Sequence, residues 1–185
     1  GGVGSGKTRT AVAMLRAIRE QAPVPLLAFD FKGDLGTDVS GGGYHIDELF
    51  GAQILEPPRG PIPLDVLSLS SNNEIDIAEA ASRFRESFAR LKGSRLGDRQ
   101  RTALHEAASI ALGNESPCEL PHIRDALIGY YAEHEMKEDG AISTMQEICR
   151  FPLFKPSFSP TEFFGQSWII KLPPNVAEDS RTMVV

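Results

Sequence analysis

Apolar residues Ala11, Val12, Leu15 and Ile18 recur at helical spacing through residues 8–21, with Arg9, Arg16, Arg19 and Glu20 on the other side. That pattern predicts an amphipathic helix. Ala22-Pro23 ends it, and Val24-Pro25-Leu26-Leu27-Ala28-Phe29-Asp30 follows as a short, nearly continuous apolar run, as in a strand buried inside a parallel sheet. Glycine-rich residues 36–43 predict a surface loop, 44–50 a short helix and 52–56 a second short strand. Pro57, Pro58, Pro61 and Pro63 keep the chain extended before Leu64-Asp65-Val66-Leu67, because proline fixes φ and biases the residue before it away from helix. The clearest helix is 71–91, where Ile75, Ala78, Ala81, Phe84, Phe88 and Leu91 form one stripe of the kind that faces a core. Three more helices are predicted over 98–112, 121–134 and 141–149. Residues 151–160 are proline-rich and extended, 166–172 predict a return strand, and Pro173-Pro174 breaks it before the first turns of a helix over 175–185.

Helix then strand, repeated around a run of four helices, predicts an α/β fold carrying an all-α insertion. The expected organisation is a core over 1–70, a helical insertion over 71–150 and a return to the core over 151–185.

The candidate chemistry lies at the start. Gly1-Gly2-Val3-Gly4-Ser5-Gly6-Lys7-Thr8 fits G-x-x-x-x-G-K-[ST] at every fixed position, the phosphate-binding P-loop. Its glycines let backbone N–H groups approach a phosphate, and the following helix points its positive end at the same anion. Gly1 to Thr8, with Arg9 beside them, are therefore the expected ATP-binding residues, Lys7 reaching the β and γ oxygens and Thr8 offering a hydroxyl to Mg²⁺. Asp30 ends the next strand, and Asp30-Phe31-Lys32-Gly33-Asp34 delivers two carboxylates, a lysine and a glycine to that edge. Asp30 or Asp34 is expected to order Mg²⁺ or its water, or to position the attacking water. The plainer alternative is a strand end capped by Asp30 and turned at Gly33. Asp30 to Gly33 also satisfies the D-x-x-G pattern of GTPases, but only Ala22-Pro23 separates helix from strand and no N-K-x-D guanine reader occurs. A P-loop normally follows a strand, which would precede Gly1, and the last helix has no stop signal. The chain is expected to be a fragment truncated at both ends. No four apolar residues run into Asp-Glu anywhere in it, so the second acidic motif of such an ATPase is expected outside it.

Composition narrows the picture. At 185 residues, 41% hydrophobic and 24% charged, the chain has enough apolar content for a core with a small subdomain. A net charge of -6 argues against wholesale coating of nucleic acid, while leaving room for a local basic grip. Arg90, Lys92, Arg95, Arg99 and Arg101 cluster between two predicted helices, either as a solvated corner or as a contact to DNA phosphates or a neighbouring subunit. Cys118 and Cys149 lack C-x-x-C spacing or a nearby His pair and read as ordinary reduced residues of an intracellular protein; a cytoplasmic location is expected from the ATPase reading alone. His105, His122 and His134 lack paired spacing and read as surface or interface residues. No apolar run is long enough to span a membrane.

On three features the sequence resembles the HerA/FtsK superfamily of ring-forming ATPases. They are the P-loop, the strand-end signature Asp30-Phe31-Lys32-Gly33-Asp34, and Ile62-Pro63-Leu64 opening onto a helical insertion. The return strand over 168–172 is also similar to the family's strand before its second acidic motif. The resemblance implies a P-loop NTPase parallel sheet of the RecA/FtsK-like kind, ATP and Mg²⁺ as cofactors, a homo-hexamer, and double-stranded DNA as the partner that is translocated or unwound. It places Lys7 and Thr8 on phosphates and metal, Asp30 near the γ-phosphate, and Asp34 where the family often carries Glu, one methylene longer. The segment 29–34 is similar to members of the DptH type, associated with phosphorothioate-dependent restriction. A P-loop small-molecule kinase and a noncatalytic nucleotide-binding assembly module are the alternatives from other classes.

Overall fold

The computed structural model describes residues 6–37, 43–91, 96–150 and 152–172. In chain order the elements are α1 (Lys7–Gln21), β1 (Leu27–Asp30), α2 (Ile46–Phe50), β2 (Gln53–Leu55), β3 (Ile62–Leu64), α3 (Glu74–Ala89), α4 (Asp98–Asn114), α5 (Leu120–Glu133), α6 (Gly140–Arg150), β4 (Phe154–Phe158), α7 (Pro160–Phe164) and β5 (Trp168–Lys171). The fold is mixed α/β, mostly helical, with small parallel sheets. Its described residues fall into two compact units, one running up to Gly60 and resuming at Thr161, the other spanning Pro61–Pro160. The second unit begins and ends ten residues outside the expected 71–150 insertion. The reason is β3, which pairs in parallel with β4 and so draws the proline-rich flanks into the helical unit.

In the first unit, β1, β5 and β2 form a parallel sheet in that order. Leu27 pairs with Trp168 and Asp30 with Lys171, while Gln53 to Leu55 pair with Trp168 to Ile170. The strand latest in the sequence thus lies between the two earliest. Side chains alternate across a sheet, and Ile169 shares a buried cluster with Val12, Ile46 and Phe50, joined by its register partners Ala28 and Ile54. That face is the one covered by α1 and α2. Trp168, of opposite parity, stacks on Phe163 at 4.9 Å, and its indole N–H donates to the Phe163 carbonyl at 2.8 Å. Val12 is buried as expected, whereas Ala11 and Ile18 are exposed among the described residues.

The second unit buries a helical core that includes Phe84, Phe88, Leu104, Ala108, Leu127 and Met145. The stripe expected along α3 holds from Ala81 onward. Ile75, 72% exposed, and Ala78 lie outside the core, and Ala80 is buried in its place. The reason is where the helix starts: Asn73 caps it, its side-chain oxygen accepting from the Asp76 N–H at 2.8 Å. Ile75 therefore sits in the first, solvated turn. Asp139 fastens three helices together. Its carboxylate accepts from Gln100 Nε2 at 2.7 Å, from the Tyr131 hydroxyl at 3.1 Å and from the Ala141 N–H at 2.9 Å. His122 and His134 serve helix ends, His122 Nδ1 accepting from the Glu119 N–H at 3.1 Å and His134 stacking on Tyr130. The helix expected over 175–185 lies outside the described residues.

Candidate functional site

The site has to be built from the first unit, because it carries both the P-loop remnant and the Asp30 turn. Gly1 to Ser5 lie outside the described residues. Gly6, at φ +74°, is the N-cap of α1, and its carbonyl accepts from the Thr10 N–H at 2.9 Å. Left-handed φ is available to glycine without steric cost. Lys7 and Arg9 are exposed on the first turn of α1 and Thr8 is half-buried. That turn has no acidic residue, so nothing on it offsets the positive end of the helix dipole.

The path of the chain fixes where this turn lies. A short connection carries Gln21 to the start of β1, so α1 runs back antiparallel to the strands. Val12 packs in the same cluster as Ile169. Lys7 lies five residues before Val12, about 7.5 Å along the helix, and Lys171 lies two residues beyond Ile169, about 6.6 Å along the strand. Lys171 stands at the carboxyl edge of the sheet, where open parallel sheets gather ligands.

Asp30 stands on that edge, 3% exposed. Its Oδ1 accepts from the N–H groups of Lys32, Gly33 and Asp34 at 3.2, 2.7 and 3.3 Å, and Oδ2 from Leu35 N–H at 3.0 Å. Gly33 has φ +73°, the conformation that lets successive N–H groups converge on one carboxylate. Asp34 contributes main chain to this turn, its carbonyl accepting from Tyr44 N–H at 2.9 Å. This is the geometry of the plainer reading, a strand end capped by its own aspartate. With Oδ1 already accepting three donors, only Oδ2 keeps appreciable capacity for a further ligand. The Thr8 hydroxyl is of a ligand type that Mg²⁺ accepts, whereas the Asp30 carboxylate is already engaged by four N–H donors. Among the described residues no group of three or more His, Cys, Asp or Glu side chains is gathered to hold a metal by itself, so phosphate oxygens and water would complete such a shell.

Sequence reasoning missed two members of this edge. Lys171 pairs in register with Asp30, is 9% exposed, and has its Nζ 3.8 Å from Oε1 of Glu56, which directly follows β2. By parity Asp30, Lys171 and Glu56 share the face of Ala28, Ile169 and Ile54, the face that α1 covers. The available signal was a lysine closing an otherwise apolar run, Trp168-Ile169-Ile170-Lys171-Leu172. Of the basic cluster, Lys92 and Arg95 lie outside the described residues, Arg90 and Arg99 are exposed, and Arg101 is 3.7 Å from Glu86 while donating to the Leu96 carbonyl. His105, half-buried, lies 3.8 Å from Glu106. Among the described residues no helix is long and apolar enough to cross a membrane.

No family model matches the chain, and no curated protein matches it in sequence.

Proposed function

We propose that this chain is the ATP-binding part of a HerA/FtsK-like motor ATPase, which couples ATP hydrolysis to translocation or unwinding of double-stranded DNA. The observation that carries the reading is the P-loop sequence running into α1, a helix whose Val12 packs in one cluster with Ile169 of the parallel sheet. Lys7 and the N–H groups of Gly1 to Gly6 hold the phosphates, with Arg9 at the rim. Mg²⁺, when bound, would supply neutralisation of phosphate charge, and Thr8 would hold it. Asp30 keeps the turn over 30–35 closed, so that Asp34 is presented at a fixed place beside the terminal phosphate. A cytoplasmic homo-hexamer threaded by DNA is the assembly this implies.

The closed Asp30 carboxylate favours one second reading, a noncatalytic nucleotide-binding assembly module, because a carboxylate committed to its own turn has little left for chemistry. The test is ATP hydrolysis by the complete gene product with and without long double-stranded DNA, for the natural protein, Lys7→Ala and Asp30→Asn. The motor reading expects DNA-stimulated turnover that both substitutions abolish. Turnover indifferent to DNA would replace it with a kinase or another P-loop enzyme, and ATP binding without turnover would replace it with the assembly module.

A further inference from the structure

We propose that the first unit carries a second binding site, a cleft at the amino edge of its sheet that takes a small carboxylic acid on Arg19. The cleft measures about 340 Å³ and lies between the last turn of α1, the segment leading into β1, the end of α2 and the starts of β2 and β5. Arg19 is the one charged residue that lines it; Gln53, Gln166 and Ser167 supply polar groups, and residues 23–25 form an apolar wall. The strands run parallel, so this edge is opposite the one at which Asp30 and Lys171 stand. The site is independent of the nucleotide reading.

Arg19 is half-buried, its guanidinium 5.6 Å from the centre of the Phe50 ring, and among the described residues no carboxylate pairs with it. The residues three and four positions away are Leu15, Arg16, Ala22 and Pro23, none of them acidic. A cation in the last turn suits the helix dipole, but the dipole takes up none of the five N–H donors of the fork. The seat on Phe50 restrains the guanidinium, and a carboxylate can accept two of its N–H groups in parallel. The floor of the cleft is built before any ligand arrives. Ser167 Oγ accepts from the Leu26 N–H at 3.1 Å, the Ser167 carbonyl accepts from the Gln53 N–H at 3.0 Å, and the Trp168 N–H donates to the Leu26 carbonyl at 2.7 Å. These bonds stitch the starts of the three strands together and leave the Ser167 hydroxyl proton as a second donor. One cation matches the single charge of a monocarboxylate, whereas a phosphate dianion would be left half neutralised. The apolar wall over 23–25 receives the body of the acid.

Titration of the intact protein with benzoate and 3-methylbutanoate tests this, followed by heteronuclear NMR of the Arg19, Gln53 and Gln166 side chains. Benzamide serves as the neutral counterpart, inorganic phosphate as the rival anion and an end-capped glutamate peptide as the rival source of a carboxylate. Both acids are expected to shift these signals to saturation. Arg19→Met should weaken their binding by about ten- to a hundred-fold, the share of a charge-assisted hydrogen bond. Arg19→Lys, which keeps the charge but not the fork, should weaken it several-fold. No saturable shift with either acid up to about 10 mM overturns the proposal, as does affinity unmoved by Arg19→Met or matched by benzamide. Phosphate binding more tightly than both acids would make the site one for another anion, and binding of the peptide alone would make it a contact for an acidic partner segment; either result overturns the assignment. Should Arg19→Met melt without a cooperative transition, Arg19→Lys decides, an unaltered affinity overturning the role of the fork.

Discussion

Asp30 shows how much one side chain organises. Four N–H donors converge on it, so the buried carboxylate is solvated by backbone and closes the turn. Asparagine in its place offers one acceptor oxygen and turns an NH₂ toward N–H groups, so Asp30→Asn is expected to cost about 1–3 kcal/mol, read as a lower urea midpoint. A second residue-scale prediction concerns the thiols. Burial, followed by the negative charges of Asp65, Glu115 and Glu119, pushes the Cys118 thiol up to about 12, and burial pushes Cys149 up to about 11. A thiol whose pKa is raised by folding contributes stability below its ordinary value near 9 and loses it as pH rises toward the raised one. The urea midpoint should therefore fall between pH 9 and pH 11. Replacing both cysteines by serine should flatten that fall, leaving the share of Tyr131, whose hydroxyl burial and Asp139 also hold protonated.

Among the elements, α3 and the Asp139 junction are the most exposed to test. Asn73→Ala removes the cap of α3 and should cost about 1 kcal/mol. Ile75→Ala, in the solvated first turn, should change stability by less than about 0.5 kcal/mol. Phe88→Ala, one helix face later and 1% exposed, should cost about 3–5 kcal/mol. Equilibrium denaturation followed by circular dichroism orders the three. At the junction, Asp139→Ala leaves Gln100, Tyr131 and the first turn of α6 without their shared acceptor. In a double-mutant cycle Asp139→Ala and Tyr131→Phe should be non-additive by more than about 0.5 kcal/mol; additive losses would mean the hydroxyl contributes nothing through that carboxylate.

For the molecule as a whole, the consequence lies in strand order. Since β5 sits between β1 and β2, the earliest strands of the first unit have no ladder until residues 168–171 arrive. A chain ending at Pro160 should therefore lose amide-exchange protection over residues 27–30 and 53–55. Hydrogen exchange followed by mass spectrometry measures it, and retained protection in those strands would mean another partner takes the place of β5.

What the sequence determined by itself was mostly local. Periodicity placed α1 and α3 to α6 within a few residues, because a helix satisfies its hydrogen bonds internally and its apolar face repeats every turn. The apolar run over 168–172 announced a buried strand; the run before Asp30 also became a strand, but its Leu27 is exposed and Ala28 and Phe29 only half-buried. The spacing of Gly1 to Thr8 announced the candidate chemistry. Tertiary structure decided what depended on distant partners. Nothing near Ile62 or Phe154 says that they pair across the helices between them, or that α7 would form to lay Phe163 on Trp168. The stripe on α3 failed at Ile75 because its periodicity could not show where the helix began. Lys171 reads in the sequence as the polar end of a strand; only its register with Asp30 and its approach to Glu56 bring it into the candidate site. Helical spacing is a property of neighbouring residues, but a row of charges across a parallel sheet exists only once strands far apart in the chain have met.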